Sequence, residues 1–123
     1  MNYKLLFPTY RNRYLFIKNC LKEFGQNGFN NALNLGTGEG DYDPMIAQKC
    51  TKLTACDINE NDIAFASKLN AGITNVEYKK EDALDLTFSD NSFEMLVSVD
   101  VMEHVGKPER MTEEISRVLK KDG

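Results

Sequence analysis

Leu33-Asn34-Leu35-Gly36-Thr37-Gly38-Glu39-Gly40 is the stretch that decides the fold of this chain. Residues 32–35 are a short apolar run, three glycines follow at alternate positions, and residues 44–50 have the composition of a short helix. Apolar run, glycines and helix in that order read as strand, tight turn and helix. Glycine suits such a turn because it accepts backbone angles barred to other residues, and because a ligand can lie directly against a main chain that carries no side chain. The helix adds free N–H groups at the ligand's edge. Taken alone, the triplet is equally a glycine-rich turn that only joins strand to helix.

Further along the chain the alternation continues. Residues 53–56 form a second apolar strand running into Asp57. Residues 61–69 form a helix, with Asn59 or Asn61 to cap it and Gly72 to end the segment. Val76 and Tyr78 mark a third strand, and residues 93–99 are an apolar run long enough for a fully buried fourth. Pro108 stands where a first helical turn tolerates proline, and Met111, Ile115, Val118 and Leu119 form the inward stripe of a last helix that Gly123 would stop. Upstream, Thr9 is placed to cap a helix in which Tyr14, Ile17, Leu21 and Phe24 recur at helical spacing up to Gly25, and residues 26–31 read as a loop. Arg11, Lys18 and Lys22 fall on another side of that helix as a solvated face. Strands alternating with helices give an α/β fold with a parallel sheet, divided into an N-terminal helical segment, 1–30, and the α/β part, 31–123.

Composition bounds the function. The 123 residues allow one core, and 41% hydrophobic with 28% charged residues is ordinary globular usage. A formal net charge of -4, with no basic surface interleaved with aromatics, argues against a nucleic-acid partner. Cys20, Cys50 and Cys56 are odd in number and make no C-x-x-C pair, so they read as small buried hydrophobes in a reducing compartment. Residues 5–7 are too short an apolar run for a signal sequence, and no segment approaches the length of a membrane span, which places the chain by default in the cytoplasm.

Asp57 gives the glycine loop its context. It ends the second strand, 21 residues after Gly36, where a carboxylate can accept hydrogen bonds from both hydroxyls of a ribose laid across the first two strands. A helix-capping role is the plain alternative for an aspartate there. Nicotinamide dinucleotide enzymes use the same strand, loop and distal acid, but their G-x-G-x-x-G spacing requires glycine at position 41, where this chain has Asp41. Asp41 beside Glu39 would also repel a pyrophosphate, whereas a sulfonium cofactor carries positive charge and no phosphate.

At this point the residues resemble a known family, the class I methyltransferases of the ubiquinone/menaquinone-biosynthesis type, often called methyltransferase type 11. The strongest stretch is EDALDLTFSDNSFEMLVSVDVMEHVGKPERMTEEISRVLKKDG, residues 81–123, which is similar in order and spacing to the family's acid-Ala, Pro-Phe-x-Asp-x-Ser-Phe-Asp, Glu-His and Arg-Val-Leu-Lys-Pro-Gly-Gly segments. The resemblance covers about residues 32–123 and implies a Rossmann-like sheet and S-adenosylmethionine as cofactor. It further implies that Gly36, Thr37, Gly38 and Gly40 line the methionine part and that Asp57 binds the ribose. By the same resemblance Ile58 packs on the adenine, Asp82 accepts from its amino group, the Ala83 backbone closes the ring edge, and Ser98 and Val99 sit near the sulfonium. The family's acid at position 34 is Asn34 here, its proline before Phe88 is Thr87, and its Lys-Pro-Gly-Gly is Lys120 to Gly123. The family's strand order is 3-2-1-4-5-7-6, of which this sequence supplies 3-2-1-4. The chain thus reads as a truncated product, a partial reading frame or a fragment, with its fourth strand exposed as an edge that invites self-association.

Methyl transfer needs alignment of donor and acceptor, and a base only where the acceptor holds a proton. His104, the single histidine, follows Glu103 just past the fourth strand and is the candidate base, with a structural role in a helix-start loop as the alternative. Asp100, Glu103 and His104 form D-x-x-E-H, similar to an arrangement that some quinone O-methyltransferases of this group use for a divalent ion; most members carry the segment without metal. The expected acceptor is a small molecule. A domain that binds the cofactor without catalysis is the second reading, and a nicotinamide oxidoreductase the third.

Overall fold

The structure, a computed structural model, describes residues 3–99 and 101–123. A 3-10 turn, Tyr3–Leu6, leads into α1 (Pro8–Phe24). There follow β1 (Phe29–Leu35), α2 (Asp43–Ala47), β2 (Cys50–Asp57), α3 (Glu60–Leu69), β3 (Val76–Lys80), β4 (Met95–Val97) and α4 (Pro108–Val118). The strands pair in parallel in the order β3-β2-β1-β4, the expected Rossmann-like arrangement. Residues 32–35 and 53–56 are buried on both sides of the sheet, as parallel strands covered by helices must be.

Side-chain alternation along β1 divides the core. Leu33 and Leu35 pack with Cys56, Leu86, Phe93, Met111 and Val118, the face covered by α4. Ala32 packs with Ile17, Leu21, Ile46, Ala47 and Leu53, the face covered by α1 and α2. Tyr10 of α1 also stacks on Tyr42, with ring centroids 5.9 Å apart, which fastens the helix beside the glycine loop.

Several local expectations change in three dimensions. Helix α1 opens on Pro8 after Phe7, with no side-chain cap from Thr9, because proline brings no N–H to satisfy in a first turn. Phe24 at its end is exposed rather than inward. Residues 29–31 are strand, not loop, since Phe29 pairs with Cys50 and Asn31 with Lys52; sheet pairing overrides their turn-like composition. Asn59 does cap α3, its Oδ1 accepting from the amides of Asn61 at 2.9 Å and Asp62 at 3.2 Å.

Strand β4 spans three residues and is half-buried rather than fully buried. Its only strand partner among the described residues is β1, so one edge lacks a neighbour. Helix α4 stops at Val118, where Leu119 turns extended to bridge Phe93, so Gly123 does not end it. Glu114, not Ile115, joins Met111 and Val118 as a fully buried position. Of the cysteines only Cys56 is fully buried; burial pushes its thiol up to about 12 and that of half-buried Cys50 to about 11, so both are protonated at neutral pH. No described helix is long and apolar enough to cross a membrane.

Candidate cofactor site

The glycine loop leaves the end of β1 and is tethered to the end of β2. The amides of Gly36 and Thr37 both donate to the Cys56 carbonyl at 2.9 Å, and the Gly38 amide donates to Asp57 Oδ2 at 2.9 Å. Asp57 Oδ1 accepts from the Asn59 amide at 3.0 Å, so one carboxylate holds both the loop and the start of α3. Positive φ at Gly36 (83°), Gly38 (58°) and Gly40 (82°) explains the residue type at all three positions.

The three glycines do different work. A Cβ at Gly38 would meet nothing within 4 Å, so this residue presents bare backbone to open space. A Cβ at Gly36 would lie 2.1 Å from Val101 Cγ2, and one at Gly40 would lie 2.8 Å from both Ala66 Cβ and Asn70 Nδ2. Gly40 therefore permits close packing of the loop on α3.

A cavity of about 520 Å³ opens on this corner, within the size range of small-molecule sites. Of the residues singled out in the sequence, Gly36, Gly38, Asp57, Ile58, Asp82, Ala83, Val99 and His104 line it. Thr37, Gly40 and Ser98 do not. Thr37 is buried and turned toward α2, and Ser98 lines an apolar groove between α1 and the free side of β4, a groove that Val99 shares. Leu35, Glu81, Leu84, Val101, Val105 and Gly106 complete the cavity and were not anticipated. Val101 had a signal in retrospect: an apolar residue just beyond the fourth strand falls at the same sheet end as the glycine loop.

The lining is anionic. Asp57, Glu81 and Asp82 contribute carboxylates, and no lysine or arginine lines the cavity among the described residues. Glu81 is buried and engaged, accepting from the Thr87 amide at 2.7 Å and pairing with Lys79 at 3.4 Å. Asp82 is exposed, and its Oδ1 accepts from the Leu84 amide at 2.9 Å, which fixes the turn. Ile58 is 60% exposed, an apolar surface with no protein covering it.

The charges on the loop itself are spent otherwise than its sequence implies. Lys4 Nζ lies 3.0 Å from Glu39 Oε2 and 2.5 Å from Asp41 Oδ2. Partial burial opposes its charge, but these two partners hold the ammonium well above the ordinary lysine range. Glu39 and Asp41 are thus partly neutralised, which weakens the repulsion of a pyrophosphate that the sequence implied for them.

Behind the loop is a polar network that the sequence did not disclose. Asp43, fully buried, accepts from Asn34 Nδ2 at 2.7 Å, Thr37 Oγ1 at 2.6 Å and Tyr78 Oη at 2.8 Å. Asn70 Nδ2 donates to Tyr78 Oη at 2.8 Å and to the Gly40 carbonyl at 2.9 Å. Burial, with the Asp43 charge adding to it, keeps the Tyr78 phenol well above its ordinary value, so it remains a donor.

Glu103 and His104 share an exposed 3-10 turn, Met102–His104, beside the cavity mouth. Asp100, the third member of the D-x-x-E-H set, lies outside the described residues. Among the described residues no three His, Cys, Asp or Glu side chains gather in a metal-holding group.

A strand-loop-helix cradle at the carboxyl ends of parallel strands, with a ribose-height acid on the neighbouring strand, defines a nucleoside-type cofactor domain. Residues 33–123 match the family model described as a methyltransferase domain, and the chain belongs to that family, the class I S-adenosylmethionine-dependent methyltransferases. It is similar to the demethylmenaquinone methyltransferase of Clavibacter sepedonicus, 31% identical over 91 residues, which are 74% of this chain and 37% of the relative. It is also similar to that of Staphylococcus aureus strain JH9, 28% identical over 109 residues, which are 86% of this chain and 45% of the relative. The chain thus spans less than half the length of these curated relatives. Among solved structures it is similar to an S-adenosylmethionine-dependent methyltransferase from Aquifex aeolicus, with 30% identity and a TM-score of 0.70 over 84% of this chain and 57% of that one. The PH0226 protein from Pyrococcus horikoshii OT3 gives a TM-score of 0.82 at 26% identity, over 100% of this chain and 63% of that one. The family sets aside a nicotinamide oxidoreductase.

Proposed function

We propose that this chain is the cofactor-binding part of a longer enzyme that transfers a methyl group from S-adenosylmethionine to a small-molecule acceptor. Its share of the methyltransferase domain begins at Phe29 with β1, two residues before the boundary expected at 31, and α1 (Pro8–Phe24) is a helix laid on it, in a cytoplasmic protein. The observation that carries this reading is the cavity in which Gly38 offers bare backbone while Asp57, Ile58 and Asp82 stand around the same opening.

The residues present fit the cofactor. Each oxygen of Asp57 holds one backbone amide and keeps lone-pair capacity for a ribose hydroxyl. Exposed Ile58 offers the adenine an apolar face, the exposed Asp82 carboxylate an acceptor for its exocyclic amine, and Ala83 a backbone edge. Gly38 lets the methionine part lie against the main chain, with Gly36 beside it packed under Val101, and the absence of lysine and arginine from the described lining suits a cationic ligand. When bound, the cofactor supplies an electrophilic methyl group on a sulfonium. His104 at the cavity mouth is assigned the proton of an acceptor that has one to lose.

Calorimetric titration of this chain with S-adenosylhomocysteine, with NAD as control, tests the reading. Binding of the first and none of the second is expected. Absence of heat with S-adenosylhomocysteine would overturn it.

A further inference from the structure

Asp43 touches nothing in the cavity, yet it is the point on which the glycine loop turns. It is fully buried at the start of α2, and its partners are two hydroxyls and an amide rather than a cation. A buried carboxylate with neutral donors only is costly to maintain unless every bond is made, so loss of any donor is felt by the others. The three donors come from three places: Asn34 from the last turn-ward part of β1, Thr37 from the loop itself, and Tyr78 from β3. Asn34 Nδ2 also reaches Thr37 Oγ1 at 3.3 Å, which closes a triangle between strand, loop and helix.

The consequence for the loop is mechanical. On its outer side the amides of Gly36, Thr37 and Gly38 are tied to Cys56 and Asp57 at the end of β2. On its inner side the Thr37 hydroxyl is tied to Asp43, and the Gly40 carbonyl to Asn70. Between these two sets of ties Gly38 keeps its own amide bond to Asp57, and the direction in which a Cβ would point is open. Its position is whatever the two sides impose.

We propose that Asp43 is the positioning residue of the cofactor loop: through Thr37 it sets the backbone of residues 36–40 on which the ligand lies, without touching the ligand. This rests on the cofactor reading given above, and it extends that reading to a residue outside the cavity. Thr37 acts in this account as the connection to Asp43, turned inward, rather than as a ligand contact.

Two hydroxyls meet the same oxygen, Asp43 Oδ2, and only one of them belongs to the loop. That gives a comparison in which Tyr78→Phe also removes an acceptor from Asn70 Nδ2 but leaves its bond to the Gly40 carbonyl. Thr37→Val and Tyr78→Phe each remove one hydroxyl from one buried carboxylate, so both should lower the melting temperature of the chain. Only Thr37→Val should then weaken S-adenosylhomocysteine binding disproportionately, by about tenfold or more, while Tyr78→Phe changes it by less than about threefold. Thr37→Ser, which keeps the hydroxyl, should recover the affinity. Amide hydrogen exchange of Gly38 supplies a readout without ligand: faster in Thr37→Val, unchanged in Tyr78→Phe and Thr37→Ser. Equal effects of Thr37→Val and Tyr78→Phe on Gly38 exchange, or no recovery in Thr37→Ser, would overturn the positioning role. Failure of the unaltered chain to bind S-adenosylhomocysteine would overturn the cofactor reading instead, and leave the exchange comparison standing.

Discussion

Replacing the loop glycines one at a time by alanine should separate the ligand's face of the loop from the protein's. At Gly38, φ is 58° and a new Cβ meets nothing within 4 Å. The left-handed backbone costs an alanine about 1–2 kcal/mol, offset by about 0.5–1 kcal/mol from the stiffer unfolded chain. The net loss is about 1 kcal/mol, a fall of about 4 °C in melting temperature for a domain of this size. Gly38 lines the cavity, however, and the new methyl group points into open space, so on the cofactor reading affinity for S-adenosylhomocysteine should fall at least tenfold, about 1.4 kcal/mol. At Gly40 the balance reverses. The new Cβ lies 2.8 Å from Ala66 Cβ and from Asn70 Nδ2, and 3.1 Å from Asp43 Oδ2. Overpacking of about 1–3 kcal/mol adds to the backbone strain and to the loss of the Asn70 bond, about 1 kcal/mol, so the melting temperature should fall by at least about 10 °C. Thermal melts and calorimetry on the two variants give the answer. If Gly38→Ala melts as low as Gly40→Ala, or keeps full affinity, the assignment of the two glycines to opposite faces is wrong.

Glu114 should make the chain acid-labile in a defined window. Arg117, whose Nε lies 2.9 Å from Glu114 Oε1, and the Leu86 amide at 2.7 Å hold this buried carboxyl down to about 2, below its ordinary value of 4.5. A depressed pKa contributes stability that is complete above pH 4.5 and is lost as pH falls from there through about 2. Arg117 also donates to the carbonyls of Leu86 and Phe88, so the turn following Asp82 and Ala83 should loosen with it. Melting temperature against pH should fall more steeply for the unaltered chain than for Glu114→Gln, and parallel curves would refute the assignment. Asn34→Asp sets a second carboxylate 2.7 Å from buried Asp43. Two like charges in one buried site disfavour each other, so the variant should be destabilised. Adding Asp43→Asn, which returns an amide opposite the carboxylate, should recover most of the loss in a urea titration.

Much of the fold was legible because its signals are local. Apolar runs of strand length, separated by helical stretches with their own caps and prolines, require no knowledge of distant contacts. Asn59 capping α3 and the order β3-β2-β1-β4 follow from such signals and from the resemblance they led to. The misreadings share one cause. Residues 29–31 look like loop but are drawn into the sheet by Cys50 and Lys52, and β4 looks like a buried strand but among the described residues has a strand neighbour on one side only. Each depended on what lies beside the segment, which periodicity does not report.

The cofactor corner divides in the same way. From the sequence alone it follows that a glycine loop joins strand to helix and that Asp57 ends the next strand, and the resemblance adds that Asp82 belongs at the same end of a parallel sheet. Backbone chemistry and strand order are enough for that. Only the tertiary structure decides that Gly38 faces open space while Gly40 faces Ala66, that Thr37 turns inward, and that Ser98 lies outside the cavity. Likewise only the fold brings Lys4 to Glu39 and Asp41, 35 and 37 positions away, and Tyr78 to Asp43, 35 away. Which partner satisfies a buried or charged group depends on distances between elements remote in sequence, and packing sets those distances.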